Sequence, residues 1–350
     1  MMHIRTTNWR IFNEATWDIP DNSVYILDKN GSGKTSLLSA LYTLWTAQPF
    51  PGTRLRDALK NGADYFGIQD IEQGDFISGV LRPTGRLQLK TSDDFVANTR
   101  VYTYIPNDNL WFSLSRTRQL EIWNTLLFQR FGALYASLLF TLEKSVATKS
   151  RLIKSVRDST AIVDIALIKS VHDTIVRASE ALWRYRKEYF EYVIGILSDF
   201  QVWIDSDVTK LQLEWWKTNS AGVRTRDIQA AVDWEMLWHK EVRAGKVLYG
   251  AQRDEILVKN GDALVFSQFS RGELRALVIF FKKVTRDMTE GPVLWLLDDV
   301  FNEFDTRREQ TILAELIHDE DRVIATGTKP LPDGLKNIVS VSLEELKIPV

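Results

Sequence analysis

Lys34 and Thr35 close an eight-residue stretch, Asp28-Lys29-Asn30-Gly31-Ser32-Gly33-Lys34-Thr35, whose residue types and spacing fit a phosphate-binding P-loop. In that chemistry the loop's backbone N–H groups and the start of the following helix point at phosphates. The lysine bridges the outer phosphates and the threonine hydroxyl ligates Mg²⁺. Asp28, Lys29, Asn30, Gly31, Ser32, Gly33, Lys34 and Thr35 are therefore the candidate nucleotide-binding residues, with Lys34 also expected to act in catalysis. The pattern asks for glycine at its first position, where this chain has Asp28. A carboxylate facing a pyrophosphate at low dielectric would weaken binding strongly. Turned away from it, Asp28 would leave Gly31, Gly33, Lys34 and Thr35 able to hold a nucleotide.

A second group with chemical potential is Asp298-Asp299, at the carboxyl end of the apolar run Val293-Leu294-Trp295-Leu296-Leu297. Carboxylates placed there sit where ligands bind in α/β sheets. In a Walker B role Asp298 would hold Mg²⁺ through water, and Asp299 would stand beside the attacking water as its polariser or base. The same letters also describe a strand followed by a helix-capping pair. A third stretch, Ser270-Arg271-Gly272-Glu273-Leu274-Arg275, opens a helix. Ser270 at its N-cap with Gly272 could bind an anion, whereas a capping box with Glu273 accounts for the serine and the glutamate equally well.

These groups need elements to carry them. Val24–Leu27 reads as a buried strand leading into the loop, and Lys34–Thr46 as a helix with Leu37, Leu38, Leu41, Leu44 and Trp45 on one face. A hairpin over His3–Arg10 and Ala15–Ile19 precedes them. Strands at Phe76–Leu81, Arg86–Lys90 and Val101–Ile105 follow, with Pro83-Thr84-Gly85 as a turn. From about Ser115 to Ala244 the pattern is mostly helical. Leu134, Leu138, Leu142 and Val146 recur every four residues, and Ile175, Ala178, Leu182, Tyr185, Tyr189, Tyr192 and Ile196 step by threes and fours. The stripes fit an antiparallel helical arm or ordinary bundle packing. Leu211–Trp216 reads as a strand and Arg226–Val242 as a further helix.

After Gly245 the α/β pattern returns, with strands Lys246–Tyr249, Val293–Leu297 and Val323–Thr326, a hairpin over Ile256–Val265, and helices Gly272–Met288 and Thr306–Ile317. The two ends of the chain should then share one sheet. The expected domains are 1–110, a head bearing the P-loop; 111–244, an inserted helical arm; and 245–350, the head's C-terminal part.

Composition narrows the partners. The 350 residues contain no cysteine, which excludes disulfides and thiolate metal sites and fits a reducing, cytoplasmic setting. Four histidines show no metal-ligand spacing. No apolar run by eye approaches a membrane span, so no membrane association is expected. The net charge of −2 means that any nucleic-acid binding must come from local patches. Candidate phosphate contacts are Arg54, Arg56 and Lys60, then Arg116 and Arg118. Lys149, Arg151, Lys154, Arg157, Arg184, Arg186 and Lys187 on the arm complete the set.

The order of the three motifs, followed by Asn302-Glu303-Phe304-Asp305, resembles that of ABC-type ATPases, and the helical middle resembles the branch that acts on DNA. Within it the chain resembles the RecF family. Ile4-Arg5 through Trp9-Arg10, Gly62-Ala63-Asp64-Tyr65, Pro106-Asn107-Asp108-Asn109-Leu110, Arg116–Leu120, Gly250-Ala251-Gln252-Arg253-Asp254-Glu255, Ser270–Arg275 and Leu296–Asp305 look like that family's motifs. The resemblance implies an α/β fold, an ABC-type P-loop ATPase head with an inserted helical arm domain. It implies ATP and Mg²⁺ as cofactors, with Thr35 and Asp298 on the metal. Lys34, Asp298 and Asp299 would act in cis, and Ser270 and Gly272 in trans across an ATP-dependent homodimer. It implies binding to single-stranded and gapped duplex DNA, slow ATP hydrolysis, RecR and RecO as partners, and RecA loading as the outcome. A different ABC/SMC-like DNA ATPase, or a DNA clamp that binds ATP with little turnover, fits the same motifs. Asp28, Gln252 and Asn302 depart from the family pattern.

Overall fold

In the computed structural model, the described residues are 1–93, 100–158, 164–203, 211–218, 224–226, 234–299, 316–331 and 338–348. In chain order they form β1 (Met2–Trp9), β2 (Phe12–Ile19), β3 (Ser23–Leu27), α1 (Lys34–Thr46), β4 (Tyr65–Asp70), β5 (Phe76–Leu81), β6 (Leu87–Thr91) and β7 (Val101–Tyr104). There follow α2 (Arg116–Arg157), α3 (Ile165–Ile196), β8 (Leu211–Thr218), β9 (Arg224–Thr225), α4 (Trp234–Ala244), β10 (Glu255–Asn260), β11 (Ala263–Leu264) and α5 (Val265–Gln268). The chain ends with α6 (Arg271–Asp287), β12 (Leu294–Leu297), β13 (Arg322–Gly327), β14 (Ile338–Val341) and β15 (Lys347–Ile348). The expected helix Thr306–Ile317 and the residues Asn302–Asp305 lie almost wholly outside the described residues. Two compact units result, Met1–Asn109 with Arg275–Val350, and Leu110–Leu274.

The first unit, the head, holds two sheets. One is parallel, in the order β14-β3-β13-β12-β7. Its inner strands are continuous apolar runs, Val24-Tyr25-Ile26 and Trp295-Leu296-Leu297, as strands covered on both faces must be. The other, in the order β15-β2-β1-β4-β5-β6, is antiparallel. Leu37, Leu38, Leu41 and Leu44 of α1 share one core with residues from both sheets. Trp9, 1% exposed, fastens the first hairpin to α1 by donating its indole N–H to the Ser36 carbonyl and Ser39 Oγ, both at 3.0 Å. The chain termini thus meet in one domain, with β3 and β12 separated by β13 alone.

The second unit is built on α2 and α3, which pack along each other. Asp164 caps α3 by accepting from Ala166 N–H at 2.8 Å. Ile175, Ala178, Leu182 and Tyr189 of the expected stripe are buried, whereas Tyr192 and Leu134 are exposed. α2 is interrupted at Gly132, whose φ of 67° and ψ of −148° are not helical, just before the four-residue repeat begins. By length and composition, α2 has a window apolar enough to cross a membrane, correcting the expectation from sequence. The same helix carries buried Gln129, and its Arg130 lies 3.5 Å from Glu188 of α3, as in a helix packed against protein.

Residues 245–274, which the sequence pattern assigns to the head, pack in this second unit. The physical reason is β10, which pairs antiparallel with β8 from Glu255–Trp216 to Asn260–Leu211 and so completes the inserted unit's own sheet. Lys246–Tyr249, expected as a strand, is not one. Glu241 at the end of α4 holds it instead, its carbonyl accepting from Lys246 N–H and its carboxylate from Leu248 N–H at 2.8 Å. The conspicuous Gly250–Glu255 stretch serves this unit's core. Fully buried Asp254 accepts from the indoles of Trp183 and Trp215 and pairs with Arg186. Arg186 also donates to Ala251 carbonyl, Tyr135 Oη and Asn124 Oδ1.

Candidate nucleotide site

β3 ends inside the head's parallel sheet, and the chain there leaves the ladder through Asp28. The Asp28 N–H still donates to the Gly327 carbonyl at 3.2 Å, extending the β3–β13 pairing by one step. Its carboxylate folds onto its own loop, with Oδ1 accepting from Lys29 N–H at 2.7 Å. The φ of Asp28 is not positive, so this position has no conformational need for glycine. Gly31 and Gly33 do need it, at φ of 79° and 114°. A Cβ on Gly33 would stand 2.7 Å from Ile11 Cδ1 and 2.8 Å from the Phe12 ring, because the tip of the first hairpin lies against the loop.

Gly33 is also the N-cap of α1, and no side chain caps that helix end. The backbone donors of a first helical turn are thereby left for an anion. Lys29, Asn30 and Gly31 are exposed, and Ser32 is half-buried. Lys34 is buried, and its Nζ donates to the carbonyls of Asp28 at 2.7 Å and Lys29 at 2.8 Å. The ammonium is thus held by main-chain atoms of the loop itself.

Across the sheet, Thr35 Oγ1 donates to the Asp298 carboxylate, lying 2.9 Å from each oxygen. Two residues separated by 263 positions in the chain meet there because β13 alone intervenes between their strands. Asp298 Oδ1 accepts a second hydrogen bond from Thr326 Oγ1 at 2.8 Å. Burial raises the Asp298 carboxyl above the ordinary carboxylate range, with the Thr326 and Thr35 hydroxyls and the Lys34 charge opposing and the neighbouring Asp299 reinforcing. A cation would relieve this cost. Asp299 follows in the left-handed region at φ 49°, and its Oδ1 is buried with no protein hydrogen-bond partner among the described residues, as is Ser32 Oγ. A hydroxyl and a carboxylate facing each other, with a second, unsatisfied carboxylate oxygen nearby in sequence, form a hard-oxygen donor set that fits Mg²⁺. No cluster of three or more histidine, aspartate or glutamate ligands exists among the described residues, so a metal here would rely on few protein ligands.

The structure brings together Asp28 to Thr35, Asp298 and Asp299. Ser270 and Gly272 belong to the other unit. Ser270 is exposed and forms a reciprocal capping box, its N–H donating to Glu273 Oε2 at 2.7 Å and its Oγ accepting from Glu273 N–H at 3.3 Å. Two candidate DNA contacts are withdrawn: Lys149 is buried against Glu241, and Arg186 against Asp254. The residue to which the sequence assigned no role is Thr326, placed there only at the end of the strand Val323–Thr326 and the start of an expected switch loop, Thr326-Gly327-Thr328.

No family model matches the chain. Among curated proteins it is 24% identical over 345 residues to the DNA replication and repair protein RecF of Deinococcus radiodurans, covering 94% of this chain and 90% of that protein. It is 25% identical to RecF of Deinococcus deserti over the same shares, and 22% identical to RecF of Macrococcus caseolyticus over 91% and 90%. The chain is RecF-like over nearly its whole length. Among solved structures, that of the recombination mediator protein RecF-ATP in the RecFOR pathway superposes with a TM-score of 0.74 at 17% identity, covering 97% of this chain and 95% of that one. A second RecF structure gives 0.71 at 16%, covering 97% and 96%. The fold is therefore that of the RecF structures, with an inserted helical unit, and Asp28 stands where the P-loop pattern asks for its first glycine.

Proposed function

We propose that this chain is a RecF-type recombination mediator in DNA repair and replication, acting in the cytoplasm, which binds ATP and dimerises on DNA at gaps or single-strand/double-strand junctions. The observation that carries the reading is the Thr35–Asp298 contact at 2.9 Å, which joins the two halves of a nucleotide site. RecF likeness along both halves of the chain supports it.

In this reading the loop amides and the N-terminus of α1 hold the phosphates, and Lys34 exchanges its carbonyl partners for phosphate oxygens. Thr35 and Asp298 would hold Mg²⁺, which when bound supplies charge neutralisation on the outer phosphates. Asp299, whose Oδ1 has no protein hydrogen-bond partner among the described residues, orients a water for slow hydrolysis. The exposed Ser270 end of α6, with Gly272, faces a nucleotide held by a second copy, so ATP joins two chains. The exposed positives Arg54, Arg56, Arg118, Arg151, Lys154, Arg157, Arg184 and Lys187, with half-buried Lys60 and Arg116, remain the candidate DNA contacts. By resemblance, RecR and RecO are the partners and RecA loading is the outcome.

Sizing the chain with and without saturating Mg-ATP and gapped duplex DNA tests this. A nucleotide-dependent dimer that Lys34→Met abolishes is the expected result. A chain that stays monomeric, with Lys34→Met behaving identically, overturns it.

A further inference from the structure

Thr326 is completely buried at the end of β13, the strand between the two that carry the nucleotide site. On one side it pairs with Ile26 of the P-loop strand. On the other, the preceding pair Ala325–Leu297 brings it alongside Asp298. Its single hydroxyl works in both directions. It donates to Asp298 Oδ1 at 2.8 Å and accepts from the Asp299 N–H at 3.1 Å. Asp299 is the residue forced to positive φ, a conformation that persists in a non-glycine residue only when its surroundings hold it.

The support beneath Thr326 is stiff. A Cβ on Gly327 would overlap the Tyr25 hydroxyl, which passes through that space to donate to the Lys329 carbonyl at 2.7 Å. Tyr25 stands on the P-loop strand, so the end of β13 is tied to the element that carries the loop.

We infer that Thr326 is a positioning residue, whose hydroxyl sets the Asp298 carboxylate toward Thr35 and locks the turn that presents Asp299. A hydrophobic residue of the same shape would fill the space and keep the strand, yet would leave the Asp299 N–H without its acceptor and Asp298 with one donor fewer. The inference rests on the nucleotide-site reading above. Its distinguishing mark is a dependence on Mg²⁺, because the loop amides and Lys34 hold phosphate without the help of Thr326.

The test compares ATP affinity with Mg²⁺ and with EDTA for the full chain and for Thr326→Val, Thr326→Ser and Lys34→Ala, with thermal melts as a check on folding. Thr326→Val is expected to lose about 10- to 100-fold in affinity with Mg²⁺, the scale of a hydrogen bond to a charged group. With EDTA it should stay within about twofold of the parent, because the loop amides and Lys34 carry phosphate binding without Thr326, and Thr326→Ser should restore the Mg²⁺ increment. If Thr326→Val does not fold, Thr326→Ala against Thr326→Ser makes the same comparison. Equal affinities under both conditions, or an equal loss with and without Mg²⁺, overturn the positioning role alone. A parent chain that binds ATP no better than Lys34→Ala overturns the nucleotide site itself, and this inference with it.

Discussion

Replacing Asp28 by glycine restores the usual first letter of the P-loop, and the structure makes that change a loss. The residue has ordinary φ, so glycine relieves no strain. It removes the hydrogen bond from Lys29 N–H to Oδ1, worth about 0.5–1.5 kcal/mol in net terms. It also frees the unfolded chain at that position, costing a further ~0.4–1 kcal/mol. Asp28→Gly should therefore destabilise the head by about 1–2 kcal/mol, read by chemical denaturation. Nucleotide affinity should change little, less than about threefold. The anchor of Lys34 is the Asp28 carbonyl, which glycine retains, and the carboxylate is already turned onto the loop's own amide. Fluorescent-nucleotide titration of both proteins in Mg²⁺ measures this. Binding more than about tenfold tighter in Asp28→Gly would show that the carboxylate opposes the phosphates, and would refute the account of it as a turn former.

Gly33→Ala must place a Cβ at φ 114° within 2.9 Å of Ile11 and Phe12, and should abolish ATP binding, whereas Gly31→Ala, strained by its φ of 79° but with open space for the Cβ, should weaken binding less; calorimetric titration separates the two. In the inserted unit, Glu241→Gln strands the buried Lys149 charge and should cost about 3–5 kcal/mol in denaturant melts, while adding Lys149→Met recovers much of that loss. His172, 3.1 Å from Lys149 Nζ, is held neutral by burial and by that ammonium, its pKa pushed down from 6.5 to about 4. The unfolded chain binds this proton first, so stability is full above about pH 6.5 and falls as the pH drops toward 4, by up to ~3 kcal/mol. Nearby Asp173 opposes the shift, and His172→Gln should flatten this limb of the stability–pH curve.

The head was legible because its signals are local. Val24–Leu27, the P-loop and the leucine face of α1 each declare themselves within a few residues, and β12 with Asp298-Asp299 does the same. The strands Phe76–Leu81 and Arg86–Lys90 about the Pro83-Thr84-Gly85 turn were equally plain. What could not be read was which sheet a strand joins. Glu255–Asn260 looks like any strand, and only its pairing with β8 sends residues 245–274 into the inserted unit. Charge was misleading for a related reason. Lys149 and Arg186 have the composition of a solvated face, but their carboxylate partners lie 92 and 68 positions away and bury them. The role of Thr326 was not legible because a threonine ending a strand carries no signal until its two neighbours are known.

The interleaving of β3, β13 and β12 also bears on how the molecule is made. Residues 23–27 leave the ribosome early, while β13 ends at Gly327. At about 5–20 residues per second, the P-loop strand waits roughly 15–60 s for its partner. During that wait a mostly apolar strand has no neighbour on the side that β13 will fill. The inserted unit, whose sheet has all its described strands by residue 264, can fold in the interval. Truncated chains ending before Arg322 should therefore be poor in solubility and rich in chaperone contacts, for want of one strand.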